Sequence, residues 1–371
     1  MDSIYLCINK LFVMLDYIIV GSGLAGIAFS EYALNNNKRI MVINNQSQNS
    51  SKIAGGLYNP VVLKRFSEVW QASDQLDLLS EFYVSLEQKL DVKLDFSMPL
   101  LRKFYSVEEQ NNWFTASDKP NLSKFLSTIL ITTKWESIPS PFNYGEVLKS
   151  GYVDTSLLVD SYKNYLLSKE CYFENTFDYS NLIIENDFVV YKNLKAKHII
   201  FAEGFGMLSN PFFKDLPLDG TKGELLLIKA SNLNLDLIVK SSVFVIPLGN
   251  NLYKVGATYN WEDKTNIPTD AAREELVTNL KQLINCDFEI IEHHAGVRPT
   301  VKDRRPMLGS HPIHKNMFVL NGLGTRGVML APAMAKMLYN HIENLEDLDV
   351  YVDIKRFKSF YSNLSQNGQT Y

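Results

Sequence analysis

Residues 16–44 read DYIIVGSGLAGIAFSEYALNNNKRIMVIN, and this stretch decides the fold. Tyr17-Ile18-Ile19-Val20 is a short apolar, largely β-branched run, the composition of a strand buried on both faces of a parallel sheet. It leads into Gly21, Gly23 and Gly26, a G-x-G-x-x-G spacing. The first glycine permits a tight turn, the second lets backbone approach a pyrophosphate, and the third lets helix pack closely on strand. Ala25, Ala28, Phe29 and Tyr32 then recur at i, i+3, i+4 and i+7, which predicts a helix. Asn35-Asn36-Asn37 ends it, and Ile40-Met41-Val42-Ile43 returns as a second buried strand. The start of such a helix directs N–H groups and a positive dipole end at phosphates. Strand, glycine turn, helix and strand in this order favour a dinucleotide site over an incidental turn. One residue departs from the pattern. Asn44, eighteen residues after Gly26, stands where an Asp or Glu normally accepts from a ribose hydroxyl. An asparagine accepts through its amide oxygen but brings no charge.

Outward from this stretch, 371 residues with 46% apolar and 21% charged composition predict two soluble globular domains with a large core. A net charge of −4 offers no general attraction to nucleic acid or anionic membrane. Cys7, Cys171 and Cys286 are far apart and form no C-x-x-C, which argues against a disulfide framework or zinc site and fits a cytoplasmic protein. Ile4 to Val20 is hydrophobic, but Asn9, Lys10 and Asp16 interrupt it, so no membrane span is expected there. Residues 1–13 read as an N-terminal extension.

Gln46 to Pro60 is a polar, glycine-bearing loop beside the nucleotide fold. Residues 74–90 place Leu76, Leu79, Phe82, Tyr83, Leu86 and Leu90 on one helical face, and residues 91–150 read as a mixed antiparallel region. A helix over 154–169, capped by Asp154 or Thr155, precedes the buried strand 197–202 and its glycine turn. Strands at 223–229, 242–247 and 251–259, with a hairpin turn at Asn250-Asn251, form a second sheet. A helix over 269–283, a strand over 289–297, a buried strand 317–320 and a helix over 327–342 complete the pattern.

Three separated pieces carry a resemblance: the N-terminal fingerprint, HIIFAEG (198–204), and AGVRPTVKDRRPMLG (295–309) with NMFVLNGLGTRGVMLAPAMAK (316–336). Together with TKGE (221–224) and VGATY (255–259) they resemble the D-amino-acid-oxidase-like (DAO) family of FAD-dependent oxidoreductases, over roughly residues 16–345. AGVRP and APA are similar to the glycine oxidase branch. GLYNP (56–60), DRRPMLG (303–309) and GLGTRG (322–327) are also similar to the FAD-dependent half of the bifunctional enzyme that trims the wobble uridine of tRNA. The resemblance implies an α/β (α+β) fold. A discontinuous Rossmann-like FAD domain (14–75, 150–220, 295–345) would accompany a mainly antiparallel substrate domain (76–149, 221–294) and a helical C-terminal tail (346–371).

It further implies that Gly21, Ser22, Gly23, Leu24, Ala25 and Gly26 surround the FAD pyrophosphate, with Asn44 at the adenosine ribose. Ser50, Ser51, Gly55 and Gly56 would lie along the cofactor, and Ala202 and Gly204 on its adenine side. Gly322, Gly324, Thr325, Arg326, Gly327 and Val328 would meet the flavin at the start of the last helix, where N–H donors stabilise negative charge. A glycine turn also serves a plain helix start. Arg298 would grip a substrate carboxylate with its guanidinium fork, and Arg326 is the second catalytic candidate. Glycine oxidases carry that second arginine one residue earlier, where this chain has Thr325. Tyr259 would line the substrate pocket, and Lys222 would face the cleft or support its turn. Gly296 fills the place of the cysteine that attaches flavin in covalent members, so FAD is expected to be non-covalent. His293 and His294 are adjacent on a strand and point to opposite faces, so no metal is assigned.

The expected activity is oxidation of the C–N bond of a small amine or amino acid, by hydride transfer to the flavin and onward to oxygen or another acceptor. The alternatives are a tRNA-modifying oxidase acting on a carboxymethylaminomethyl wobble uridine, with tRNA as partner, and a non-catalytic flavoprotein.

Overall fold

The computed structural model describes residues 14–360; the expected N-terminal extension and the last part of the expected tail lie outside them. The chain divides into two compact units, one of residues 1–51, 159–220 and 298–371 and the other of 52–158 and 221–297. The expected boundaries differ in placing 52–75, 150–158 and 295–297 with the first domain.

The first unit is the α/β one. Its sheet runs Tyr172–Glu174, Ile40–Asn44, Leu15–Val20, Leu194–Phe201, Val189–Tyr191 and Leu182–Ile184. Met317–Asn321 lies parallel to the upper half of Leu194–Phe201 and is itself paired antiparallel with Met307–Ser310. Ile18 pairs with Met41 on one side and Ile199 on the other, and Ile199 pairs with Met317. These are the apolar runs read from the sequence, and all four residues belong to, or pack against, one core with Val20, Ile43, Phe201 and Val319. Burying both faces of parallel strands is what demands such unbroken apolar runs. The fingerprint helix, Leu24–Asn35, and the closing helix, Gly327–Asn344, belong to the same unit. The closing helix stops at Leu345, which is left-handed at φ 58°.

Beyond the closing helix the described tail is non-helical as far as Phe357 apart from one 3-10 turn, and residues 358–360 are helical. The Leu308 N–H donates to the Val352 carbonyl at 2.9 Å, and a single 3-10 turn spans Ile354–Arg356. The Arg356 guanidinium donates to Asp303 Oδ2 and to the Pro306 carbonyl, both at 2.9 Å. These bonds hold residues 352–356 along strand Met307–Ser310.

The second unit is built on an eight-stranded, mainly antiparallel sheet. Its order is Glu289–Val301, Leu218–Lys229, Leu252–Gly256, Phe244–Gly249, Ile238–Lys240, Leu100–Lys103, Tyr144–Val147 and Leu126–Ile131. Asn250 and Asn251 both take positive φ, 52° and 60°, so the expected hairpin turn is made by two residues suited to it. The helix Asp270–Leu283 is capped by Thr269, whose hydroxyl accepts from the Ala272 N–H. Leu276, Leu280 and Leu283 bury against the sheet residues Leu226, Ile228, Val245 and Val255. The helix Ala72–Leu90 buries Leu76, Leu79, Phe82, Tyr83 and Leu86, five of the six residues read as its apolar face.

One element departs from the expected pattern. Val107–Ser117 is a helix inside the region read as strands and turns. Its signal is the S-x-x-E of Ser106 and Glu109: the Ser106 hydroxyl accepts from the Glu109 N–H, and Glu109 accepts from the Tyr105 N–H at 2.9 Å. Among the described residues no helix is long and apolar enough to cross a membrane.

Candidate functional site

In the first unit, the fingerprint glycines hold the end of the first strand against the start of the helix. A side chain at Gly26 would meet the Gly21 carbonyl oxygen at 2.0 Å, and one at Gly21, where φ is 104°, would meet the Ala202 carbonyl oxygen at 2.4 Å. The three sequence pieces 21–26, 198–204 and 316–336 therefore converge here. Ala202 donates to the Val20 carbonyl and Gly21 to the Ile43 carbonyl, so three parallel strands end together. Such a crevice at the carboxyl ends of parallel strands is where α/β sheets bind nucleotides.

The fingerprint helix opens with no acidic residue in its first turn and no side-chain cap from Gly23. Ser51 approaches instead, its hydroxyl accepting from the Leu24 N–H at 3.1 Å. Ser50 and Ser51 begin a short helical turn, Ser50–Ile53. Ser22, Leu24 and Ala25 are buried around this start. Asn44 ends the second strand and donates through Nδ2 to the Tyr172 hydroxyl at 3.2 Å, which leaves Oδ1 as its accepting atom. These features fit a dinucleotide: the helix end is positive, uncapped by acid, and closely approached by small residues.

Gly204 and Gly322 form a second turn region. Asn321, 2% exposed, donates to the Gly204 carbonyl at 2.9 Å and accepts from the Gly322 N–H at 2.8 Å. Gly322 has φ 76°, and a side chain there would strike Val301 at 2.6 Å. Gly324 faces the Pro299 carbonyl oxygen at 3.9 Å from an added Cβ, so strand residues 298–301 lie against the glycine turn. Arg298 is on that strand and half-buried. The turn continues through exposed Thr325 to Arg326, which precedes the closing helix, and then to Gly327 and buried Val328. A side chain at Gly327 would touch Leu24 at 2.8 Å. The N-termini of the two helices are therefore neighbours, and their positive ends add.

Sequence reasoning does not single out Glu203, between Ala202 and Gly204. Burial pushes its carboxyl up to about 7, against hydrogen bonds from Asn210, at 2.7 Å, and from the Tyr179 hydroxyl. Asn321 escapes the same reasoning.

In the second unit, Gly55 lies against the Phe244 ring, and Gly56, at φ 70°, against the Val153 carbonyl oxygen, where an added side chain would sit at 1.9 Å. Tyr259 is 61% exposed at the end of the sheet. Lys222 is fully buried, and its ammonium reaches Asp263 Oδ2 at 2.5 Å and lies 3.4 Å from Glu224 Oε1. That hydrogen bond holds the Asp263 carboxyl at about 2. His293 lies 2.8 Å from Glu224 and His294 2.6 Å from Glu292, so the two rings turn to separate carboxylates.

The family model described as FAD dependent oxidoreductase (DAO) matches residues 16–340. Glycine oxidase of Bacillus subtilis (strain 168) is 24% identical over 223 residues, covering 56% of this chain and 60% of that protein. The tRNA 5-methylaminomethyl-2-thiouridine biosynthesis bifunctional protein MnmC of Idiomarina loihiensis is 27% identical over 154 residues, covering 39% of this chain and 25% of that protein. The chain thus spans 60% of one curated relative and 25% of the other. Among solved structures, glycine oxidase from Geobacillus kaustophilus matches with a TM-score of 0.76 at 18% identity, covering 93% of this chain and 98% of that one.

Proposed function

The chain belongs to the DAO family of FAD-dependent oxidoreductases, and from that premise we propose that it oxidises the C–N bond of a small amine or amino acid bearing a carboxylate. FAD is its cofactor and supplies the two-electron acceptor. The observation that carries the reading is the placement of Arg298 on the strand whose next residues lie against the Gly322–Gly324 turn. A guanidinium there binds both oxygens of a carboxylate and fixes the plane of the substrate. Fixing the reacting carbon at one distance and angle supplies much of the rate. Arg326 and the N–H groups at the head of the closing helix would hold the cofactor in a region of positive potential. No side chain is assigned as a general base, since an amine arriving neutral needs none. The glycine at 296 supports non-covalent attachment, and the scattered cysteines support a cytoplasmic setting.

A second reading is oxidation of a carboxymethylaminomethyl group on the wobble uridine of tRNA. The order Thr325-Arg326 and the similarity to MnmC favour it, and the net charge of −4 does not.

Anaerobic titration of the purified, FAD-loaded protein separates these readings through the visible absorbance of the flavin. The panel is glycine, sarcosine, iminodiacetate, D-amino acids and tRNA carrying the modified uridine. Bleaching by a small amine establishes the first reading, and bleaching by tRNA alone establishes the second. No bleaching by any of them rules out both.

A further inference from the structure

The segment Tyr259–Thr269 has almost no apolar anchor. Tyr259 is 61% exposed, Trp261 49% and Ile267 68%. Polar bonds hold it instead. Asn260 and Lys222 exchange two backbone hydrogen bonds, at 2.8 and 2.9 Å. Below them the Lys222 ammonium reaches Asp263 Oδ2 and the Ile267 carbonyl, both at 2.5 Å, and Thr265 Oγ1 at 3.4 Å. Glu224 accepts from the Thr269 N–H and hydroxyl, both at 2.9 Å. Asn266 Oδ1 accepts from the Val297 N–H at 3.2 Å, the residue immediately before Arg298.

A fully buried ammonium is costly, and an apolar residue of similar volume stabilises a sheet at least as well. An apolar residue would not, however, select one conformation for a segment that buries so little. Lys222 satisfies its three donors on residues 263, 265 and 267, three successive alternate positions of the segment.

We infer that Lys222 is a positioning residue, acting with Asn266 to hold the Tyr259-bearing segment in one register with the strand that carries Arg298. The inference rests on the reading that Arg298 binds the substrate carboxylate. Freeing the segment then loosens the backbone at Val297, the residue next in the chain to the one that carries the guanidinium.

The test uses the FAD-loaded chain and the variants Lys222→Met, Lys222→Arg and Asn266→Ala. Asn266→Ala removes one tie without unpairing a buried charge, so it carries the test if Lys222→Met does not fold. Three quantities are read: KM against kcat for the amine that bleaches the flavin, the FAD dissociation constant, and tryptic cleavage after Lys264 with acrylamide quenching of Trp261. The expected result is a rise in KM of at least tenfold, FAD affinity within twofold of wild type, and faster cleavage and quenching. Lys222→Arg should recover part of the KM. Folded Lys222→Met and Asn266→Ala proteins with wild-type KM overturn the inference, even if cleavage accelerates. So does a loss of FAD affinity equal to the loss in KM, which marks general destabilisation. If no amine bleaches the wild type, the proposed activity fails separately. The positioning claim is then judged by acetate, read through its perturbation of the flavin spectrum. Weaker acetate binding in the variants supports the claim, and unchanged binding overturns it.

Discussion

The Asn321 side chain donates to the carbonyl of Gly204 at 2.9 Å across 117 residues of sequence. With its other atom it accepts from Gly322, so one amide ties together the two glycine turns at the ends of adjacent parallel strands.

Replacing Asn321 by alanine strands the buried Gly322 N–H, at a cost of about 1–3 kcal/mol, and unpairs the partly buried Gly204 carbonyl. We expect the FAD dissociation constant to rise at least tenfold and the melting temperature to fall. Flavin fluorescence titration and thermal unfolding check the two effects. Unchanged FAD affinity would show that the amide has no part in shaping the cofactor site.

Two glycines make a contrast. Gly26→Ala puts a methyl 2.0 Å from the Gly21 carbonyl oxygen and should abolish FAD uptake. Gly204→Ala meets nothing within 4 Å and bears only the left-handed backbone cost, about 1 kcal/mol. Absorbance of the purified proteins at the flavin band decides between them. Equal FAD content in both would refute the close-packing account of the fingerprint.

These positions show how far a sequence can be read. The fingerprint, both later strands and their glycine turns are apolar runs and turn residues, and such local patterns can be read directly. Asn321 is different. In the sequence it is an ordinary asparagine before a glycine, and only the pairing of Ile199 with Met317 brings it to Gly204. Lys222 can be read from the sequence only as facing a cleft or supporting a turn, because its burial depends on a segment 41–45 residues later folding back over it. The helix at Val107–Ser117 is legible in its cap but not in its body, which is polar and weakly periodic.

Arg298 provides a test on the substrate side. A charge-assisted bond contributes about 1.5–3 kcal/mol, or roughly tenfold to more than hundredfold in binding. Arg298→Ala should raise KM by about a hundredfold, and Arg298→Lys by about tenfold, because lysine keeps the charge but loses the fork. Steady-state kinetics on the bleaching amine measures both. An Arg298→Lys enzyme with an unchanged KM would argue against bidentate gripping.

Glu203 predicts a pH dependence. Its carboxyl titrates near 7 in the folded chain, above the ordinary value of 4.5, because burial disfavours the charged form. The folded state therefore holds that proton more tightly than the unfolded state. The associated stability is complete below about 4.5 and is lost as pH rises through about 7. Glu203→Gln, which keeps shape without charge, should melt a few degrees above wild type at pH 8 and level with it near pH 4.5. Thermal unfolding across that range is the measurement. A gap that does not change with pH would exclude the buried carboxyl as its cause.

The strand order of the first unit also has a consequence for synthesis. Ile18 is translated well before its neighbour Ile199 and the next strand's Met317. A ribosome working at about 5–20 residues per second needs on the order of 15–60 s to make the roughly 300 residues between the first and last of these strands. Until Leu194–Phe201 is made, the apolar run Tyr17–Val20 has only the neighbouring strand Ile40–Asn44 to pair with. The nascent chain thus carries an open sheet edge, first at Tyr17–Val20 and then at Ile199–Phe201, and the second unit, whose last residue is Val297, is complete before Met317–Asn321 covers the latter.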